Sequence, residues 1–80
     1  MNKIYIRDRL FDVLEDLTAE VYTIDDLPYT LKGELKLDIV DCEELSESVY
    51  DEFGVIVSAE DICDDMTLGE LLNRIYGTIN

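Results

Sequence analysis

Three observations predict an all-α fold, a small four-helix bundle. Apolar residues recur at helical spacing in separate stretches of the chain. Two Ser/Thr-x-x-acid signatures mark helix starts. Only Val55-Ile56-Val57 reads as a strand, and no second strand exists to pair with it. The expected order is three long helices, a short one between the last two, and a long loop after the first.

The first helix rests on Ile6, Leu10, Val13, Leu14, Leu17 and Val21, whose spacing lines one helical face, with Arg7, Asp8, Arg9, Asp12, Glu15 and Asp16 on the others. It is expected to end near Thr18 to Val21. Between Tyr22 and Leu37 the period fails, and Asp25, Asp26, Pro28, Thr30 and Gly33 punctuate a long loop with one short turn. The loop's apolar residues, Ile24, Leu27, Tyr29, Leu31, Leu35 and Leu37, suggest that it lies on the helices. Loops of this length in small domains are commonly functional.

Asp38 offers its side-chain oxygen to the free N–H groups of a second helix, and Asp41 and the glutamates after it complement the positive end of the helix dipole. The apolar row of that helix is Cys42, Leu45, Val49 and Phe53, with Ile39 one step earlier, and Gly54 is suited to end it. Its outer faces are acidic: Asp41, Glu43, Glu44, Glu47, Asp51 and Glu52. Val55-Ile56-Val57 then forms a buried extended link. Ser58 with Asp61 resembles a capping box for a short third helix through Ile62 and Cys63. Thr67-Leu68-Gly69-Glu70 is a clearer one, leading into Leu71, Leu72, Ile75 and Tyr76 with Gly77 as the stop.

The 80 residues make one expected domain, 1–80, which at this size buries about 60 to 65 per cent of its unfolded surface and builds one core. Apolar residues are 48% of the chain, so its high charge does not argue for disorder. Twenty acidic and six basic residues give a net charge of −14, spread from Asp8 to Glu70. Phosphate backbones need clustered Lys and Arg, and anionic membranes repel such a chain, so neither nucleic acid nor membrane is an expected partner. Basic patches on other proteins are better electrostatic partners. The plainer alternative is that the acidity only keeps the chain soluble.

Cys42 and Cys63 have no CxxC spacing and the chain has no histidine, which argues against zinc. Asp61, Asp64 and Asp65 lack the Gly and terminal Glu of an EF-hand loop, leaving weak counter-ion binding as their expected behaviour. Without histidine, and with carboxylates on exposed faces, no catalytic constellation is visible and no enzyme is expected. The stretch Met1-Asn2-Lys3-Ile4-Tyr5-Ile6-Arg7-Asp8 meets charge before any apolar run can become a signal peptide, and no stretch approaches membrane-spanning length. A cytoplasmic monomer is the expectation.

Glu34-Leu35-Lys36-Leu37-Asp38-Ile39-Val40-Asp41 resembles the attachment stretch of acyl and peptidyl carrier proteins, which reads roughly Asp-Leu-Gly-Leu-Asp-Ser-Leu-Asp. Glu52-Phe53-Gly54-Val55-Ile56-Val57 is similar to the family's Glu-Phe-Asp-Ile-Glu-Ile at the same distance from the serine position. Met66-Thr67-Leu68-Gly69-Glu70-Leu71-Leu72 is similar to Thr-Val-Gly-Glu-Leu-Val at the start of its last helix. These matches cover roughly the last half of the chain, and the first helix matches by pattern only. The resemblance implies the carrier type of helical bundle and a phosphopantetheine arm on the serine. Here that position is Ile39, whose hydrocarbon side chain has no nucleophilic atom for attachment, so no cofactor is expected.

Lys36 stands in place of the family's glycine, and Ser46, Glu47 and Ser48 put polar groups where carriers often show apolar ones. In the family the second helix docks on basic patches of partner enzymes. By resemblance Asp38, Val40, Asp41, Glu44, Glu47 and Asp51 line the comparable surface here, possible partners being acyl or peptidyl synthases. That face is either a docking surface or a solvated acidic one. Ile39 and Val40 are either an exposed apolar anchor inside a charged rim or, for Ile39, a residue tucked under the loop. Cys42 reads as a small helix residue at the core boundary, since nothing basic nearby lowers its pKa.

The leading expectation is therefore a carrier-like interaction module without a prosthetic group. The alternative is a working carrier for fatty-acid, polyketide or nonribosomal peptide synthesis, modified at another serine. A third reading, from net charge alone, is an acidic decoy for a basic nucleic-acid-binding surface.

Overall fold

Asn2 opens the first helix, its side-chain oxygen accepting the N–H groups of Ile4 and Tyr5. The computed structural model describes residues 2–80. It contains α1 (Lys3–Thr18), a 3₁₀ turn (Ile24–Asp26), α2 (Ile39–Phe53), α3 (Ala59–Ile62) and α4 (Leu68–Ile79). The fold is all-α, with three long helices, one short helix and a long loop after the first. Among the described residues no helix is long and apolar enough to cross a membrane.

The 3.6-residue period puts Ile6, Leu10 and Leu14 of α1 in the core with Cys42, Leu45 and Val49 of α2. From α4 come Leu68, Leu71, Leu72 and Ile75, and from α3 Ile62. α2 packs on α1 and α3, and α4 closes on α1. Among the described residues no polar or charged residue is buried, so apolar burial is the main cohesive term, at about 1.5–3 kcal/mol for each large side chain.

The loop is held from both sides. Thr23 and Asp26 form a reciprocal capping box around the 3₁₀ turn. Leu31 and Leu37 are buried, and the Leu37 N–H donates to the Leu31 carbonyl at 2.9 Å. Further along, Leu31 N–H donates to Met66 O, Leu68 N–H to Tyr29 O and Gly69 N–H to Leu27 O, at 2.8–2.9 Å. An isolated antiparallel bridge between Thr30 and Thr67 lies within this ladder. A Cβ on Gly69 would stand 3.1 Å from the Leu27 carbonyl oxygen, so glycine permits the loop's close approach.

Several expectations need correction. α1 starts three residues before Ile6, at Lys3, and Val21 lies beyond it, exposed. Helix α1 stops at Thr18, within the expected range, because Ala19 turns left-handed at φ 62°. Ile24 and Tyr29 are exposed, so only part of the loop's apolar set covers the core. The link after α2 is not buried throughout: Val55 and Val57 face inward and Ile56 faces solvent, the two-residue alternation of extended chain. Ser58 accepts the Asp61 N–H, but the Asp61 carboxylate pairs with Arg74 at 2.9 Å instead of closing the box. Gly77 does not stop the last helix, which continues through Ile79; Ile79 packs against the core, which outweighs the roughly 1 kcal/mol that glycine costs inside a helix. Gly54 does end α2, at φ 69°.

Candidate protein-docking site

The head of α2 is set by a full capping box. The Asp38 carboxylate accepts the Asp41 N–H at 2.8 Å, and the Asp41 carboxylate accepts the Asp38 N–H at 3.2 Å. Lys36 holds φ 61°, a left-handed conformation that an L side chain adopts at a cost. That reversal lets Leu37 turn back into the core while Asp38 faces out to cap the helix.

Ile39 and Val40 follow the cap in the first turn and are 53% and 56% exposed. Ile39 therefore does not tuck under the loop, and it is not part of the buried row of Cys42, Leu45 and Val49. Beside the pair, Asp38 and Glu44 are exposed and Asp41 is half-buried, and farther along the helix Glu47 and Asp51 are exposed. This brings all six sequence-selected docking residues onto α2 and its cap. The carboxylates of Asp38 and Asp41 each already accept a backbone N–H, so Glu44, Glu47 and Asp51 are the freer charges.

Glu52 departs from the expected free acidic face: it takes both a hydrogen bond and an ion pair from Arg9, which tie α2 to α1. The hydrogen bond that Arg9 donates to Glu52, followed by the charge of that carboxylate, raises the Arg9 pKa. The acidic surface extends sideways instead, onto α1, where an open cleft of about 310 Å³ is lined by Val13, Asp16, Leu17, Glu44, Glu47, Ser48 and Asp51. A second open cleft of about 520 Å³ lies between the end of α1 and the approach to α2, with Glu20, Glu34, Lys36 and Asp41 around Leu17, Leu35 and Leu37.

The serines hold other places. Ser46 Oγ donates to the Val57 carbonyl at 2.6 Å, clamping the extended link onto α2, and Ser58 caps α3. Ser48 is half-buried inside α2. A polar residue at Ser46 is thus explained by the link it holds, a role that its helical spacing could not reveal.

Cys42 is fully buried and lies deeper than the boundary position expected of it. Burial, with a hydrogen bond that the Cys42 thiol donates to Cys63, pushes its pKa up to about 12, so it is a thiol at neutral pH and a poor nucleophile. Both cysteines are free. Their closeness across α2 and α3 was not legible from a separation of more than five helical turns. Among the described residues no group of three or more Cys, Asp or Glu is placed to hold a metal ion. No protein-family model, curated protein or solved structure matches the chain.

Proposed function

We propose that this chain is a carrier-like interaction module that bears no phosphopantetheine and docks on basic surfaces of partner proteins through α2. Ile39 and Val40 form the apolar anchor, and Asp38, Asp41, Glu44, Glu47 and Asp51 form the charged rim. The observation that carries this reading is the exposure of two adjacent β-branched hydrocarbons at the head of an acidic helix, where the resemblance puts a carrier's serine. Such a pair contributes contact area, while the surrounding carboxylates orient a basic partner and speed its encounter. Partners of the acyl or peptidyl synthase class and a cytoplasmic location belong to the same reading.

The test is intact mass after incubation with coenzyme A and a promiscuous phosphopantetheinyl transferase, with the wild type run beside Ile39→Ser. The expected result is a phosphopantetheine mass gain in Ile39→Ser alone. A gain in the wild type would overturn the assignment of Ile39 and restore the working-carrier alternative. A gain in neither would remove the carrier resemblance. Glu44→Lys or Glu47→Lys is expected to abolish capture of a partner from lysate, and unchanged capture would remove docking through α2.

A further inference from the structure

We propose that the cleft between Tyr50 and Ile56, at the tail of α2, receives an arginine side chain of the docked partner. The proposal rests on the α2 docking reading and adds a second contact point to it. The cleft is open, about 410 Å³, and lined by Ser46, Glu47, Tyr50, Asp51 and Ile56. Tyr50 is 56% exposed and Ile56 78% exposed, each beside residues that are held in place.

Ile56 cannot retreat into the core. Its neighbours Val55 and Val57 are both buried, and extended chain sends alternate side chains to opposite sides. The Ser46 hydroxyl holds the Val57 carbonyl at 2.6 Å, so the link is fixed to the helix that carries Tyr50. The result is an aliphatic wall and an aromatic ring held apart by backbone, with two carboxylates at the rim. Among the described residues neither Glu47 nor Asp51 enters an ion pair, and no basic residue lines the cleft.

This combination selects by chemistry. A purely apolar side chain would desolvate Glu47 and Asp51 without compensating them, and an acidic one would be repelled. A cation on an aliphatic stem matches both parts of the cleft. Between the two candidates, the arginine guanidinium is planar, weakly hydrated, stacks on aromatic rings and forms paired hydrogen bonds with carboxylates, whereas the lysine ammonium is a strongly hydrated point charge. Ile39 and Tyr50 lie about 16 Å apart along the helix axis, at roughly 1.5 Å rise per residue. A partner must therefore present an apolar contact and an arginine at that separation.

The test is a ¹⁵N NMR titration of the full chain with the capped peptide acetyl-Gly-Arg-Gly-amide, beside its lysine and citrulline analogues. The expected result is saturable shifts confined to Ser46–Asp51 and Val55–Val57, at least threefold weaker with lysine and absent with citrulline. Tyr50→Ala and Ile56→Ala, both at exposed positions and checked for helicity by circular dichroism, are expected to abolish them. Shifts scattered over the acidic surface, equal response to lysine, or persistence in Tyr50→Ala would overturn the assignment. Ile39→Asp separates the two proposals. If it leaves partner capture unchanged while the arginine peptide still localises, docking through the head of α2 fails and the cleft stands. If the peptide fails to localise while capture still depends on Ile39 and Glu44, only the cleft assignment fails.

Discussion

Helices α2 and α4 begin with the same local chemistry and meet opposite fates. Each starts with a reciprocal capping box, Asp38 with Asp41 and Thr67 with Glu70, followed by a branched hydrocarbon. At α4 the loop folds over the start of the helix, burying Leu68 and pairing the N–H groups of Leu68 and Gly69 with loop carbonyls. At α2 nothing folds over, and Ile39 and Val40 stand in solvent. Capping is satisfied within one turn of sequence, whereas the fate of the first hydrocarbon depends on which distant segment arrives. A head closed by its own chain contributes stability; one left open keeps its apolar area in solvent.

The largest expected difference comes from truncating those two first residues. Leu68→Ala is expected to cost about 2–5 kcal/mol, as buried leucines do, and Ile39→Ala to stay within about 0.5 kcal/mol of wild type. Urea unfolding monitored by circular dichroism compares them, and similar costs would erase the contrast. Removing the caps sharpens it: Asp38→Ala and Thr67→Ala are each expected to cost about 1 kcal/mol, alike in spite of the different burial behind them. A far larger cost at Thr67 in the same unfolding series would mean that its cap and the loop ladder form one cooperative unit.

A smaller effect, of opposite sign, is expected one step before the open head. Lys36→Gly relieves a left-handed residue that costs about 1–2 kcal/mol, partly offset by the greater freedom of glycine in the unfolded chain, for a net gain of about 0.5–1 kcal/mol. A shift of the thermal midpoint upward checks it. The most restricted effect is alkaline. The fold keeps Cys42 protonated, so its contribution is complete below the ordinary thiol pKa of 9.0 and is lost as pH rises toward about 12. Stability measured across that window is expected to fall with a slope that flattens in Cys42→Ala, and an unchanged slope would exclude Cys42 as its source.

Much of the architecture was readable in advance where the signal is local. The span of α2 follows from Asp38, a row at helical spacing and Gly54, because cap hydrogen bonds and a left-handed C-terminal residue act within a few positions. The start of α1 has a local signal too, in the capping side chain of Asn2, which an apolar row beginning at Ile6 does not show. Gly77 misled because a glycine ends a helix only where the chain has reason to turn, and Ile79 still had core to cover. The proposed docking residues were selected through a resemblance to a helix-head motif, and the tail cleft was not visible in the sequence, since it depends on an extended link whose alternation faces one valine-flanked isoleucine outward beside Tyr50.

From residue types and spacing alone came the all-α class, the helix caps, the acidity of α2 and the lack of a nucleophile at Ile39, because each depends on groups within a turn or two or on the covalent nature of one side chain. Tertiary packing decided that Ile39 and Val40 stay exposed while Leu68 is covered, that Glu52 is taken by Arg9, and that Ser46 clamps the link beside Tyr50. Those outcomes require segments distant in sequence to meet, and burial is a property of the meeting.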